Sequence, residues 1–337
     1  MNASQRFLPY LLLVAIGALV YLVFPDQLPL FSRIAIMAIF VMSLDLIVGY
    51  GGLATLGHAA LYGAGAYAAG LTAMHLAPDP LLGLAVGATA GALVALLSGL
   101  FIVRYDGLTF LMLSIAVSQI LSNLASKLRD WTGGDDGLTG YANSAILGVW
   151  RFDLYGKVAF LYSGIALLVC LFIMRRMMGS PFGLSCMGIH QNRQRMAAIG
   201  TDIRKQLLKL YTTAGVFAGV AGALSAQTNQ IVGLDSLGFE LSAEALVMLV
   251  LGGAGTLYGA IAGAALFMFI QHVASTINPY HWLFIIGGLL VFVVLVPRDR
   301  WLNQLGRRLS PLLGGKVSPG LTRTGVEHAS PSRNARS

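Results

Sequence analysis

Residues 45–62 read DLIVGYGGLATLGHAALY. The stretch joins two apolar runs, 30–48 and 58–76, each long enough to cross a bilayer. Yet it holds Gly49, Gly51, Gly52 and Gly57, together with Asp45, Thr55 and His58. Glycine costs about 1 kcal/mol relative to alanine inside a helix. Irregular backbone at membrane depth is tolerated only where it is buried in protein or lines a cavity. Residues 49–57 therefore predict a break at which the protein forms a site or a moving joint. A short turn between two ordinary spans is the alternative, and hydropathy does not separate the two.

Composition supports the membrane reading. Of 337 residues, 56% are hydrophobic and 11% charged, where a soluble domain carries about 25% charged residues. The mean hydropathy is +0.75. The expected fold class is an all-α, polytopic transmembrane helical bundle with interrupted helices. The 41 glycines suit helices packed closely through small residues. Two cysteines, Cys170 and Cys186, make neither a disulfide framework nor a zinc site.

Apolar runs fall at 7–24, 30–48, 58–76, 81–103, 108–125, 158–174, 207–226, 241–251, 256–274 and 282–297. The first lacks a cleavage pattern and is read as a retained span. The eighth is too short to cross alone and is followed by Gly252-Gly253-Ala254-Gly255-Thr256, a second interruption. The expected count is ten spans, with nine as the alternative. Fifteen of the 22 basic residues lie in the 175–209 loop and in the tail 298–337, which places both on the cytoplasmic side. The 126–157 loop is balanced in charge, and 225–244 holds three acids and no base, so both belong outside. Both termini are then cytoplasmic. Arg33, on the outer side, is the one residue that breaks the charge rule. The net charge of +8 is thus a topology signal and not a nucleic-acid footprint. Residues 1–297 form the expected permease domain; 298–337, rich in Ser, Pro, Gly and Arg, form a tail expected to be disordered.

Residues 51–56 (GGLATL) echo 252–257 (GGAGTL). Interrupted spans in corresponding halves of a transporter point to its substrate site. Both segments share one sidedness here, which an inverted repeat would reverse, so chance similarity is the competing account.

No hydrolase, metalloprotease or P-loop pattern is present, and no metal or cofactor site is expected. Asp45 is the sole acid well inside a span; it either caps the broken backbone just beyond it or contacts a solute. His58 either caps the following helix, faces the cavity, or is a satisfied structural histidine. In the basic loop, MGIHQNRQRMAAIGTDIRKQLLK begins at Met187. Gln191 to Ile199 can form a short helix with Met196 and Ile199 on one side and Gln191, Arg193 and Arg195 on the other. Gly200 ends it and Asp202 can cap the next helix. Such a helix fits a partner's groove or the lipid surface. Outside, Trp131-Thr132-Gly133-Gly134-Asp135-Asp136-Gly137 lacks the alternating ligand pattern of an EF-hand and is read as a tight turn at the bundle's mouth.

Three stretches together resemble one family. LDLIVGYGGLATLGHAALYGAGAY, WTGGDDGLTG, and MGIHQNRQRMAAIGTDIRKQLLKL with the later AGVFAGVAGALSA and LVLGGAGTLYGAIAGAAL are similar to permease subunits of branched-chain amino-acid ABC importers, the LivM type, over roughly residues 30–297. The resemblance implies a bacterial inner-membrane subunit that is not an enzyme. It implies as partners a second homologous permease subunit, two ATPase subunits that bind ATP and Mg, a periplasmic substrate-binding protein and membrane lipid. It also implies that the loop 175–206 couples to the ATPases through Gln191, Asn192, Arg193, Arg195, Ala197, Ala198, Gly200 and Asp202. Ala197-Ala198-Ile199-Gly200 is similar to the core of the coupling motif, with Met196 where better-known variants carry glutamate. The substrate pathway would run past Asp45, Gly49, Gly51, Gly52, Thr55, Gly57, His58, Gly252, Gly253 and Thr256. The same architecture serves branched-chain and other amino acids, urea and short amides. A stand-alone secondary transporter or channel is the rival of a different class; it would need several intramembrane ionisable groups, where Asp45 stands nearly alone.

Overall fold

The computed structural model describes residues 3–141, 144, 156–277, 287, 288 and 291. It falls into a unit of Met1–Ile286 and a second of Gly287–Ser337, and the helices between Ala3 and Ile277 all belong to the first. The tail 298–337 and most of the tenth apolar run lie outside the described residues.

The described helices are α1 (Ala3–Val23), α2 (Leu28–Asp45), α3 (Ala59–His75), α4 (Pro80–Ile102), α5 (Gly107–Lys127), α6 (Arg129–Thr132), α7 (Lys157–Met178), α8 (Pro181–Gln191), α9 (Arg193–Ala198), α10 (Ile203–Asn229), α11 (Phe239–Gly252) and α12 (Leu257–Ile277). Among these residues the one β-type contact is an isolated bridge between Leu138 and Val232. Each of the first nine apolar runs is a helix, and six helical segments among the described residues are long and apolar enough to cross a membrane. Helix α11 has 14 residues, so at 1.5 Å per residue it rises about 21 Å, short of a bilayer core of about 30 Å.

Starts are set by local chemistry. Asp79 accepts from Leu81 N at 3.1 Å, with Pro80 in the first turn where its missing N–H costs nothing. Asn192 and Asp202 cap α9 and α10 in the same way.

Helices α2 and α10 form the interior. About 72% of the apolar window of each is buried, against 22% for α4 and α5. Helix α10 is gripped by α3 and α4 through small residues. Gly83, Gly87, Gly91 and Gly99 line one face of α4 at helical spacing and meet Gln227, Ala223, Gly215, Gly219 and Tyr211 of α10. A Cβ on Gly91 would collide with the Gly215 carbonyl and reach 2.8 Å from Gly219 Cα; one on Gly65 of α3 would collide with the Gly219 backbone. Backbones this close gain dispersion contact that lipid cannot match, which is how helices associate in a bilayer. A second seam joins α11 to α12, where Gly252, Gly259 and Gly263 bring the two backbones together.

Gly91→Leu should force α4 from α10 and destabilise the protein by at least about 3 kcal/mol, the upper range for overpacking. Gly164→Leu on α7, where nothing lies within 4 Å of an added Cβ, should not destabilise the protein and should gain up to about 1 kcal/mol from the better helix former. Thermal unfolding in detergent checks both; equal midpoints would contradict the seam.

Candidate functional site

The predicted break is present, and it meets the second one. After Asp45 the chain makes a single π-helical turn, Leu46–Tyr50, with Gly51 N bonded to Leu46 O at 3.1 Å. Residues 51–58 are then non-helical, and Gly52 takes φ +70°. Widened turns of this kind occur chiefly at functional positions. In the second break α11 stops at Gly252, and Gly253 and Gly255 adopt φ +92° and +83°. Thr256 Oγ1 donates to Gly253 O at 3.0 Å. Gly49 packs so closely on Gly255 that a Cβ would collide with its N and with Asp45 Oδ1.

Asp45 is fully buried, and its Oδ1 accepts from Gly255 N at 2.6 Å. It does satisfy broken backbone, but that of the other break, 210 residues away, and not the stretch just beyond it. Its Oδ2 has no hydrogen-bond partner among the described residues.

The free N–H groups before α3 go to serines on other helices. Leu56 N donates to Ser114 Oγ of α5 at 3.2 Å, and Ala59 N to Ser242 Oγ of α11 at 2.9 Å. Gly57 sits against the Ser114 backbone, and its N–H reaches the buried Thr55 Oγ1 at 3.3 Å. The His58 side chain does not cap α3, and its buried Nδ1 has no hydrogen-bond partner among the described residues. Its Nε2 lies 2.7 Å from Ser43 Oγ, and its ring stacks on Phe40 at 5.3 Å between centroids. It is a core contact between α2 and α3.

The loop after α7 differs from the expected helix over 191–199. Asn192 is extended, at φ −159°, and divides α8 from α9. The side chain that breaks the helix also restarts it, since Asn192 Oδ1 accepts from Arg195 N at 3.0 Å. Gly200 ends α9 at φ +88°, as anticipated. Asp202 Oδ1 accepts from Lys205 N at 3.1 Å. That N–H, reinforced by the Lys205 side chain, holds the Asp202 carboxyl below its ordinary range. Met196 turns inward onto Gly188, whereas Ile199 is 74% exposed, so the two do not share one covered face. Gln191, Arg195, Ala197 and Ala198 are exposed, and Arg193 forms an ion pair with Asp106 ahead of α5.

Helix α8 touches the break directly. His190 Nδ1 lies 2.9 Å from the Gly49 carbonyl, so this nitrogen carries the proton, and its ring covers Gly52. On its other side Gln206 of α10 donates to Phe182 O at 3.2 Å and to Ser185 Oγ at 2.5 Å. Sequence reasoning passed over His190, Ser114 and Ser242. A histidine on an amphipathic segment and serines inside spans are common, and nothing local marks their partners.

The 131–137 segment is a turn. Gly133, Gly134 and Gly137 all have positive φ, and Thr132 Oγ1 donates to Ala125 O at 2.5 Å. Asp135 bonds Ser126 and Arg129, which keep its carboxyl below the ordinary range. Trp131 is 62% exposed beside His75, and Asp136 faces solvent. No cluster of three or more metal-ligating side chains occurs among the described residues.

A polar cavity of about 340 Å³ opens where α2 begins, near the end of α10 and the turn Leu234–Leu237. Arg33, Tyr62, Ser225, Asn229, Asp235 and Ser236 line it, and none of the break residues does. Its signals in the sequence were Arg33, the exception to the charge rule, and the acid-only segment 225–244.

Comparison with known proteins closes the question of kinship. The family described as "Branched-chain amino acid transport system / permease component" matches residues 28–294. The high-affinity branched-chain amino acid transport system permease protein LivM of Escherichia coli (strain K12) is 26% identical over 315 residues, covering 87% of this chain and 74% of that protein. LivM of Salmonella typhimurium is 27% identical over 318 residues, 87% and 73% of the two chains. The galactose/methyl galactoside import permease protein MglC of Salmonella typhimurium is 26% identical over 214 residues, 60% and 62%. No solved structure matches. The profile's reach across both glycine breaks and the α8–α9 segment assigns the chain: it belongs to the family of branched-chain amino acid transport system permease components.

Proposed function

We propose that this chain is one of two membrane subunits of an ATP-driven importer of branched-chain or related amino acids. As a permease component of an ABC importer it is a transport subunit, not an enzyme, and ATP is hydrolysed in separate subunits. In this reading a homologous permease completes the membrane pair, two ATPases dock on the basic cytoplasmic face, and a substrate-binding protein delivers the solute outside. The sidedness rests on the concentration of Lys and Arg in 175–209 and 298–337. Amino-acid cargo is favoured because similarity to the LivM proteins covers 87% of the chain, against 60% for the galactoside permease.

One observation carries the mechanism: the contact of His190 with Gly49. The exposed surface of α9, with Arg195 and Ile199, is offered to an ATPase groove. Movement there is passed by α8 to Gly49, the carbonyl-rich joint after α2. Asp45 and Gly49 hold the second break through Gly255, so one push acts on both interrupted helix pairs. Breaks also suit the cargo. An unpaired ion in this bundle would cost several kcal/mol, and rearrangement of the broken helices would free N–H and C=O ends along the path.

Three predictions test this. Asp45→Ala leaves the half-buried Gly255 N–H without its charged acceptor and should cost about 1–3 kcal/mol of stability, with loss of uptake. Asp45→Asn keeps a carbonyl oxygen in place and should retain both; thermal unfolding and vesicle uptake decide, and equal behaviour of the two variants would contradict the role. Arg195→Glu should prevent co-purification of the ATPase subunits while membrane insertion persists. His190→Ala should leave the complex assembled and hydrolysing ATP, yet lower uptake at least about tenfold, the loss expected for one hydrogen bond of about 1.4 kcal/mol in the transmitting step. Normal transport by both variants would refute the coupling assignment.

A further inference from the structure

The cavity at the outer end of α2 is built for a small charged molecule. Its floor is buried: Ile36, Tyr62, Ala66 and Val232 are each less than a tenth exposed, between 2% and 5%. Its volume, about 340 Å³, falls at the lower end of small-molecule sites. Two opposite charges face it from different elements, Arg33 on α2 and Asp235 on the turn after α10. No ion pair joins them to each other, nor to another charged side chain among the described residues. Arg33 and Asp235 are both exposed, so the two charges stand at the cavity's rim and not on its buried floor. A cation inside an apolar run is costly unless it faces a wet cavity or a partner. Hydroxyl and amide groups of Tyr62, Ser225 and Asn229 line the same cavity, and Ile36, Met37 and Leu241 supply an apolar side.

We propose that this cavity is an outer binding site for a zwitterionic α-amino acid, with Arg33 taking the carboxylate, Asp235 the ammonium group, and Ile36, Met37 and Leu241 the aliphatic side chain. Guanidinium binds carboxylate through a planar two-pronged fork, which lysine cannot reproduce. A neutral sugar would leave both charges unpaired. The proposal rests on the importer reading above and names the substrate class that this subunit itself inspects, after the binding protein has released it.

The test uses the complete importer in proteoliposomes with ATP at the ATPase side and its binding protein outside. Uptake of radiolabelled L-leucine, L-valine and D-galactose is measured alongside ATP hydrolysis stimulated by the loaded binding protein. Arg33→Gln should lower amino-acid uptake at least about tenfold, with stimulated hydrolysis within about twofold of the parent. Arg33→Lys should fall between the two. Ile231→Trp, at a cavity-lining position that is 59% exposed, fills the opening without altering charge and should also depress uptake; it carries the test if Arg33→Gln fails to insert. Unchanged uptake in Arg33→Gln and Ile231→Trp would overturn the proposal. So would parallel loss of uptake and stimulated hydrolysis, which would make Arg33 a docking residue for the binding protein. The parent complex reports separately on the importer reading. If it moves galactose and no amino acid, that reading fails, and the zwitterion site falls with it before any variant is made; if it moves amino acids and the variants are silent, only the site is lost.

Discussion

The bond from Gly255 N to Asp45 Oδ1 is the constraint on which the rest of the interior depends. A bilayer core offers no water to a backbone group that has left its helix, so every interrupted helix must find partners in protein. Here two interruptions supply one another. Asp45 ends α2 and reaches into the second break, while Gly49, lacking a side chain, lets the two backbones meet. Ser114 and Ser242 complete the arrangement by taking the N–H groups that α3 cannot satisfy.

Around that joint the packing is graded. The α3–α4–α10 seam is backbone against backbone through Gly65, Gly87, Gly91, Gly215 and Gly219, and shape alone resists sliding. The joint is held by single hydrogen bonds and by glycines with positive φ, which tolerate rotation at little cost. Motion is therefore expected to follow the breaks, with the small-residue seam moving as one body. Helix α8 lies across this division, tied to α10 by Gln206 and to the break by His190.

The helices themselves were legible because lipid imposes one rule: apolar runs of sufficient length must be helical, and the first nine runs are. The breaks were legible because glycine is expensive in helices, so four in nine residues demand a reason. What joined them was not. The echo between GGLATL and GGAGTL is a weak likeness between segments about 200 residues apart, and no periodicity states that the two touch. Asp45 was visible as an anomaly while its partner was not, since the acceptor's target is a backbone N–H that nearly every residue carries. The division at Asn192 was missed for a related reason: Asn is tolerated within a short helix and is also a strong cap, and the extended backbone decided between them. Arg33 is the instructive exception. The charge rule counts cations that flank spans, and Arg33 instead lies exposed at the rim of a cavity that also holds Asp235. A residue that violates topology statistics was the pointer to the outer cavity.

The joint and the outer cavity share an element. Helix α2 carries Arg33 near one end and Asp45 at the other, 12 residues apart, or about 18 Å along the axis. Its second half is wholly buried from Ala38 to Asp45, so it cannot bend without opening the core. A stiff helix passes a displacement at one end to the other. On the proposed mechanism, movement of α8 against Gly49 tilts α2 and shifts Arg33 relative to Asp235, which sits on a different element. The two charges that would hold a zwitterion are then drawn out of register by the same event that strains the break. Release of the solute from the outer cavity and rearrangement of the joint become two ends of one rigid-body movement, and no separate signal between them is required.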